Sequence, residues 1–397
     1  MCKNIVIATN LNVWSISKGV GAASFYKTLE VYNNNGFNVQ LYTTEKNLEI
    51  PELENVKVIE LPKLKEIKSR YFYALSRNLN FISYQLIFLF FYLFKQKKQV
   101  DVFYAYEVEF VPVLGFLSKM NKKVLISRFQ GTILAPLLTK PLWKLKYFPH
   151  YFSIKIKSSL TIMTDDGTKG KDVIKSIRGD DDDVLFIKNG VDISKGKKSN
   201  VSSNTKMLIE GCRLYEHNFI SVSRLQSWKR LDRSINVFQE VLRFFPNSRY
   251  IIVGDGEKKL ELQKIVTDKN LDGKVIFTGG LNKSDINELM FNSDIFLSHY
   301  ELSNVGNPLW EALNNDCVVV TISNGDTGKV IEDGVSGIIS TEHDYMDNVV
   351  KIKKVLSTPS NINYLTINGK NVLKKSVTSW DDRMKAELEL VTNLIKK

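Results

Sequence analysis

Short β-branched and aromatic runs alternate with longer stretches of helical spacing along almost the whole chain. In the first half the apolar runs at 4–9, 37–42, 56–61, 101–106, 123–129 and 160–164 read as strands, and 22–33 has the spacing of a helix. Residues 185–192 close this half with a strand and a turn, and the Ser-, Asn- and Lys-rich stretch 194–206, which has no periodicity, reads as a linker. A second series follows, with strands at 219–223, 250–253, 275–278, 294–298, 317–322 and 337–339 and helices at 230–245, 257–269 and 283–291. A last helix is expected at 380–395 with no strand after it. Strands alternating with helices predict parallel sheets with helices on both faces. The expectation is an α/β chain of two Rossmann-like, doubly wound domains facing across a cleft, at 1–193 and 194–375, with a C-terminal segment 376–397 crossing back to the first.

The stretch 293–313 orders the rest. It reads as a buried strand, a polar turn holding Gly306, and a helix opening at Asn307-Pro308 with Glu311 one turn in. Pro suits the first helical position and Asn307 suits a cap. A helix start at the end of a strand collects anions, and a carboxylate one turn later is placed for sugar hydroxyls. Upstream, Arg224 follows a strand and Lys229 precedes a helix, so two cations meet that helix start and form a cradle for a diphosphate. In the first half, strand ends carry Gly19 to Gly21, Gln130 within Arg128-Phe-Gln-Gly-Thr132, and the turn at 165–170. Ligands of open parallel sheets bind at such ends.

Length and charge narrow the class. At 397 residues two domains are expected, and the net charge of +12 points to an acidic partner. Cations mixed with aromatic rings between residues 63 and 157 suit an anionic membrane surface, and no nucleic-acid motif accompanies them. The most apolar run, 81–94, is short for a spanning helix and reads as a buried helix or an interfacial one. The start lacks a signal core, and three scattered cysteines suggest neither a disulfide framework nor a zinc cluster, so a cytoplasmic protein is expected. The acidic run 180–183 reads as a solvated turn, because adjacent carboxylates do not converge on one ion.

Taken in order, Ser223-Arg-Leu, Lys229-Arg-Leu, Val253-Gly-Asp-Gly, Phe277-Thr-Gly, Ser293-Asp-Ile-Phe-Leu, Gly306-Asn-Pro-Leu-Trp-Glu-Ala and Glu332-Asp-Gly-Val-Ser-Gly resemble the retaining glycosyltransferases of family 4, and Asn189-Gly-Val-Asp192 resembles their interdomain element. The resemblance covers 219–339 closely and the first half in layout only. It implies the two-domain B-type fold, no cofactor or metal, a nucleotide-sugar donor with UDP or GDP as its nucleotide, and a saccharide or lipid-linked acceptor in surface polysaccharide or glycolipid synthesis. It places the diphosphate on Arg224 and Lys229 and the ribose on Glu311. Gly254, Gly306, Asn307, Pro308 and Leu309 fall on the donor side, with Gly19 and Gly21 closing over the phosphates. Two departures stand out. Ser303 occupies the position of the family's sugar-contacting Glu, leaving Glu301 or Asn304 to serve, and Gln130 stands where the family carries an acceptor-side His. The alternative is a nucleotide-sugar-binding protein, or an epimerase or phosphorylase of the same fold.

Overall fold

A computed structural model describes residues 3–11, 23–65, 67, 72–95, 99–192, 201–302 and 304–396. The chain divides into two compact units: one is Met1–Asp165, Lys169–Lys188 and Trp380–Lys397, the other Asp166–Thr168 and Asn189–Ser379.

The first unit holds β1 (Lys3–Thr9), β2 (Phe37–Thr43), β3 (Val56–Glu60), β4 (Val102–Tyr106), β5 (Val124–Phe129), β6 (Leu160–Thr164) and β7 (Val184–Ile187). They form one sheet in the order β3-β2-β1-β4-β5-β6-β7. Every pair is parallel. β4 is buried at all five positions, as a central strand covered on both faces must be. Helix Trp380–Lys396 belongs to this unit and buries Glu387 there. The Glu387 carboxylate accepts from Tyr104 at 2.8 Å, pairs with Arg128 at 3.3 Å, and is closed upon by Arg383. Burial alone would raise that carboxyl, but Arg383 and Arg128 hold it below its ordinary range.

The second unit holds β8 (His217–Val222), β9 (Ser248–Val253), β10 (Val275–Gly279), β11 (Ile295–Ser298), β12 (Val318–Ser323) and β13 (Ile338–Thr341), ordered β10-β9-β8-β11-β12-β13. These pairs too are all parallel. The order reverses between β8 and β11, so their carboxyl ends form the crevice where an open sheet receives its ligand.

Several elements differ from the sequence reading. Helix Ser203–Cys212 occupies the end of the stretch read as a linker, and Ser202 caps it by accepting from the Thr205 N–H. The apolar run lies inside a longer helix, Tyr73–Lys95, which buries Phe81, Tyr84 and Phe88 but leaves a second apolar face in solvent. No helix among the described residues is long and apolar enough to cross a membrane. In the acidic run Asp180, Asp181 and Asp183 face Lys157, Lys171 with Lys175, and Arg178.

Candidate functional site

The crevice of the second unit is built by three segments. The first leaves β8 as Ser223-Arg224-Leu225, and the loop after β9 holds it in place. Leu225 donates its N–H to the Asp255 carbonyl at 2.9 Å, and Lys258 donates to the Leu225 carbonyl at 2.9 Å. Gly254, at φ +134°, approaches so closely that a Cβ there would lie 1.9 Å from the Ser223 oxygen. Glycine is therefore required for close packing against the Arg224 segment. Arg224 itself is exposed, and among the described residues it enters no ion pair.

Lys229 comes next, in a single 3-10 turn at Ser227–Lys229. Its side chain is buried, with the ammonium 4.3 Å from the Trp228 ring centroid and 4.0 Å from that of Tyr300. Burial pushes its pKa down to about 7, Asp166 works against the fall, and the Arg224 charge adds to it. A lysine in this state gains charge when an anion arrives.

The third segment leaves β11. Tyr300 donates its hydroxyl to the Val222 carbonyl at 3.2 Å, tying the ends of β11 and β8 together. Glu301 turns away to Arg230 at 2.5 Å and Arg233 at 3.6 Å. Asn304 is buried; its amide donates to the Tyr300 carbonyl at 2.7 Å, while its Oδ1 has no partner among the described residues. A buried unpaired acceptor is rare enough to point to a missing donor. Gly306, extended at φ −81° and ψ 178°, is the cap of helix Asn307–Asn314 and supplies no side-chain bond. Asn307 is thus the first helical residue rather than the cap, because Pro308 fits the first turn and fixes the register. Leu309 is buried against the unit's core, so it offers backbone only. Glu311 is buried one turn in and forms an ion pair with Lys283, the first residue of helix Lys283–Phe291.

The second unit therefore brings Arg224, Lys229, Asn304, Gly306, Asn307, Pro308 and Glu311 to one edge. Gly254 supports that edge from behind, and Glu301 is engaged beside it. Gly19 and Gly21 lie outside the described residues, as does Ser303. Gln130 belongs to the first unit, at the end of β5. Its side-chain amide bonds Ser24 and the Tyr106 hydroxyl, and its backbone N–H donates to Glu107 at 2.8 Å. Glu107 has φ +69°, a strained value for a residue with a Cβ.

Three features escaped the sequence reading. Lys283 carries no motif. His299 is buried between Ser234, 2.8 Å from Nδ1, and Asn348, 3.1 Å from Nε2. The Asn348 amide can only donate there, so Nδ1 carries the hydrogen and donates to Ser234. Burial, helped by Arg233, lowers this imidazole to about 3, leaving it a neutral support beneath the site. Glu107 is the third, since nothing local marks its strained backbone.

Residues 213–372 match the family model for glycosyl transferases group 1. The chain is 26% identical over 199 residues to a phosphatidylinositol N-acetylglucosaminyltransferase subunit of Arabidopsis thaliana, covering 50% of this chain and 41% of the relative. It is 25% identical over 167 residues to the alpha-monoglucosyldiacylglycerol synthase of Acholeplasma laidlawii, covering 41% and 42%. The match thus spans about two fifths of the length of these curated relatives. Anabaena HepE, solved in complex with UDP and glucose, superposes with a TM-score of 0.71 at 16% identity, covering 98% of this chain and 100% of that one. At that identity the superposition shows the fold.

Proposed function

We propose that this chain, whose residues 213–372 match the family model for glycosyl transferases group 1, is a retaining, metal-independent glycosyltransferase. It moves a sugar from a nucleotide sugar to a saccharide or lipid-linked acceptor in the synthesis of a surface polysaccharide or glycolipid. One observation carries the reading: Arg224 and Lys229, neither of them in an ion pair among the described residues, stand at the reversal between β8 and β11 beside the Gly306 helix start.

A leaving nucleoside diphosphate gains negative charge as its bond to the sugar breaks. Arg224 and Lys229 neutralise that charge, and because they are already in place the step needs little reorganisation. Glu311 accepts from the ribose hydroxyls once Lys283 yields. Glu301 is engaged by Arg230 and Arg233, whereas the Asn304 Oδ1 has no partner among the described residues, which favours Asn304 for the transferred sugar. Gln130 serves on the acceptor side. The UDP in HepE makes a UDP-sugar the first donor to try, and the two relatives, named for phosphatidylinositol and for a glucosyldiacylglycerol, favour a lipid acceptor. A peripheral position on the cytoplasmic face of a membrane follows from such an acceptor.

The test is release of nucleoside diphosphate from a panel of UDP-, GDP- and ADP-sugars by the full chain. Turnover of one donor, faster with a glycolipid or saccharide acceptor, supports the transferase. Tight binding without turnover supports the binding-protein alternative, and a changed but unreleased sugar supports an epimerase.

A further inference from the structure

Helix Tyr73–Lys95 has two apolar faces. At 3.6 residues per turn, Phe81, Tyr84 and Phe88 share the side packed into the first unit, and Leu75, Leu79, Ile82, Leu86, Phe90 and Leu93 share the opposite side. All six of the latter are more than half exposed. A soluble surface rarely keeps so long an apolar stripe uncovered. The start of the helix also holds the 142–147 segment beside it. Asn78 donates to the Leu145 carbonyl at 2.8 Å, Arg77 bonds the Lys146 carbonyl, and the Arg77 guanidinium lies 5.1 Å from the Tyr147 ring. Leu142 and Leu145, 74% and 65% exposed, extend the stripe there.

Charge decides what covers it. Residues 67–164 contain fifteen Lys or Arg against three Asp or Glu, so this segment holds the whole +12 of the chain and the remainder is neutral. Helix Tyr73–Lys95 has no carboxylate. Lys144, Lys146 and Lys95 are exposed at the two ends of the stripe. An apolar stripe rimmed by long cations, on a helix that cannot span a bilayer, matches the boundary between acyl chains and anionic headgroups. Lysine stems reach along the apolar surface while their ammoniums stay with the headgroups.

We propose that the outer face of helix Tyr73–Lys95, with Leu142 and Leu145, inserts in the plane of an anionic lipid surface. The proposal rests on the glycosyltransferase reading only for its purpose, a lipid-carried acceptor; the docking itself requires no nucleotide sugar. The full chain is therefore sedimented with phosphatidylcholine vesicles, with and without phosphatidylglycerol, in the absence of any donor. Binding to the anionic vesicles is expected to exceed binding to the neutral ones and to weaken with salt. The triple variant Leu79→Ser, Leu86→Ser, Phe90→Ser leaves every charge in place and should lose at least tenfold in affinity. Lys144→Glu with Lys146→Glu should also weaken binding to anionic vesicles, and decides the question should the triple variant fail to fold. Equal binding to both vesicle types, or variants that bind like the parent, overturns the proposal. So does a dimer in light scattering that the triple variant dissolves, which would make the stripe a contact between copies. Failure here with donor turnover intact removes the docking alone, and the reverse result removes the transferase alone.

Discussion

The ammonium of Lys229 lies 4.0 Å from the centroid of the Tyr300 ring, buried and in no ion pair among the described residues. Its pKa of about 7 is set first by burial. A nucleotide sugar carries no titrating phosphate proton near neutrality, so any proton taken up on binding goes to the protein. Affinity should fall about tenfold between pH 6 and pH 8, with calorimetry recording proton uptake, and Lys229→Met should flatten the profile. The stability sign is opposite. The folded pKa lies below that of the unfolded chain, which therefore binds more protons above pH 7, so this group's contribution to stability rises with pH there. A thermal midpoint series in Lys229→Met should lack that rise.

Glu311 and Lys283 form a second testable pair. Glu311→Gln removes a charged acceptor worth about 1.5 to 3 kcal/mol to a ribose hydroxyl. Ribonucleotide binding should weaken tenfold or more, while binding of the deoxyribose analogues changes little. Equal losses for both would make the Glu311 carboxylate a support for Lys283 and nothing more.

Gly254→Ala should act on both stability and binding. The backbone conformation itself costs a side chain about 1 to 3 kcal/mol, before the clash with the Ser223 oxygen is counted. A lowered midpoint in the free protein, with weaker nucleotide binding through the displaced Arg224 segment, is the expected pair of results. Gly279→Ala, at φ +74° with no atom within 4 Å of the added Cβ, should cost less.

In the first unit Glu387→Gln removes the carboxylate that pairs with buried Arg128 and Arg383, a loss of about 3 to 5 kcal/mol in chemical denaturation. The depressed carboxyl gives the pH direction. Its contribution is complete above the ordinary Glu range and disappears as pH falls through the folded value, so the variant should lose less stability on acidification than the parent.

The alternation of strands and helices was legible because central parallel strands must be apolar and their helices must not. Helix Lys283–Phe291 begins and ends where its spacing predicts, with Asn282 as its cap. Arg224, Lys229 and Glu311 were singled out because ligands of open parallel sheets bind at strand ends, and the structure places Arg224 and Lys229 after β8 and Glu311 in the helix after β11. What escaped depends on partners distant in sequence. Nothing near Glu301 foretells that Arg230 and Arg233 occupy it, nor does anything near Glu311 announce Lys283. Helix Ser203–Cys212 was hidden by a polar composition in which Ser202 acts as a cap. For the run 81–94 a buried and an interfacial helix both stayed open, because a run apolar on all sides does not say which face meets the core; the structure buries Phe81, Tyr84 and Phe88.

The claim that Arg224 and Lys229 form the diphosphate site is tested most directly by calorimetric titration of the full chain with UDP, GDP and ADP, repeated on Arg224→Ala and Lys229→Ala. Each lost charge-assisted hydrogen bond should weaken binding of the preferred nucleotide by roughly ten- to a hundredfold. The midpoint of the free protein should change little in either variant, because Arg224 is exposed and, at Lys229, relief of a buried cation offsets the lost contacts with the Trp228 and Tyr300 rings. Unchanged nucleotide affinity in both variants would contradict the account.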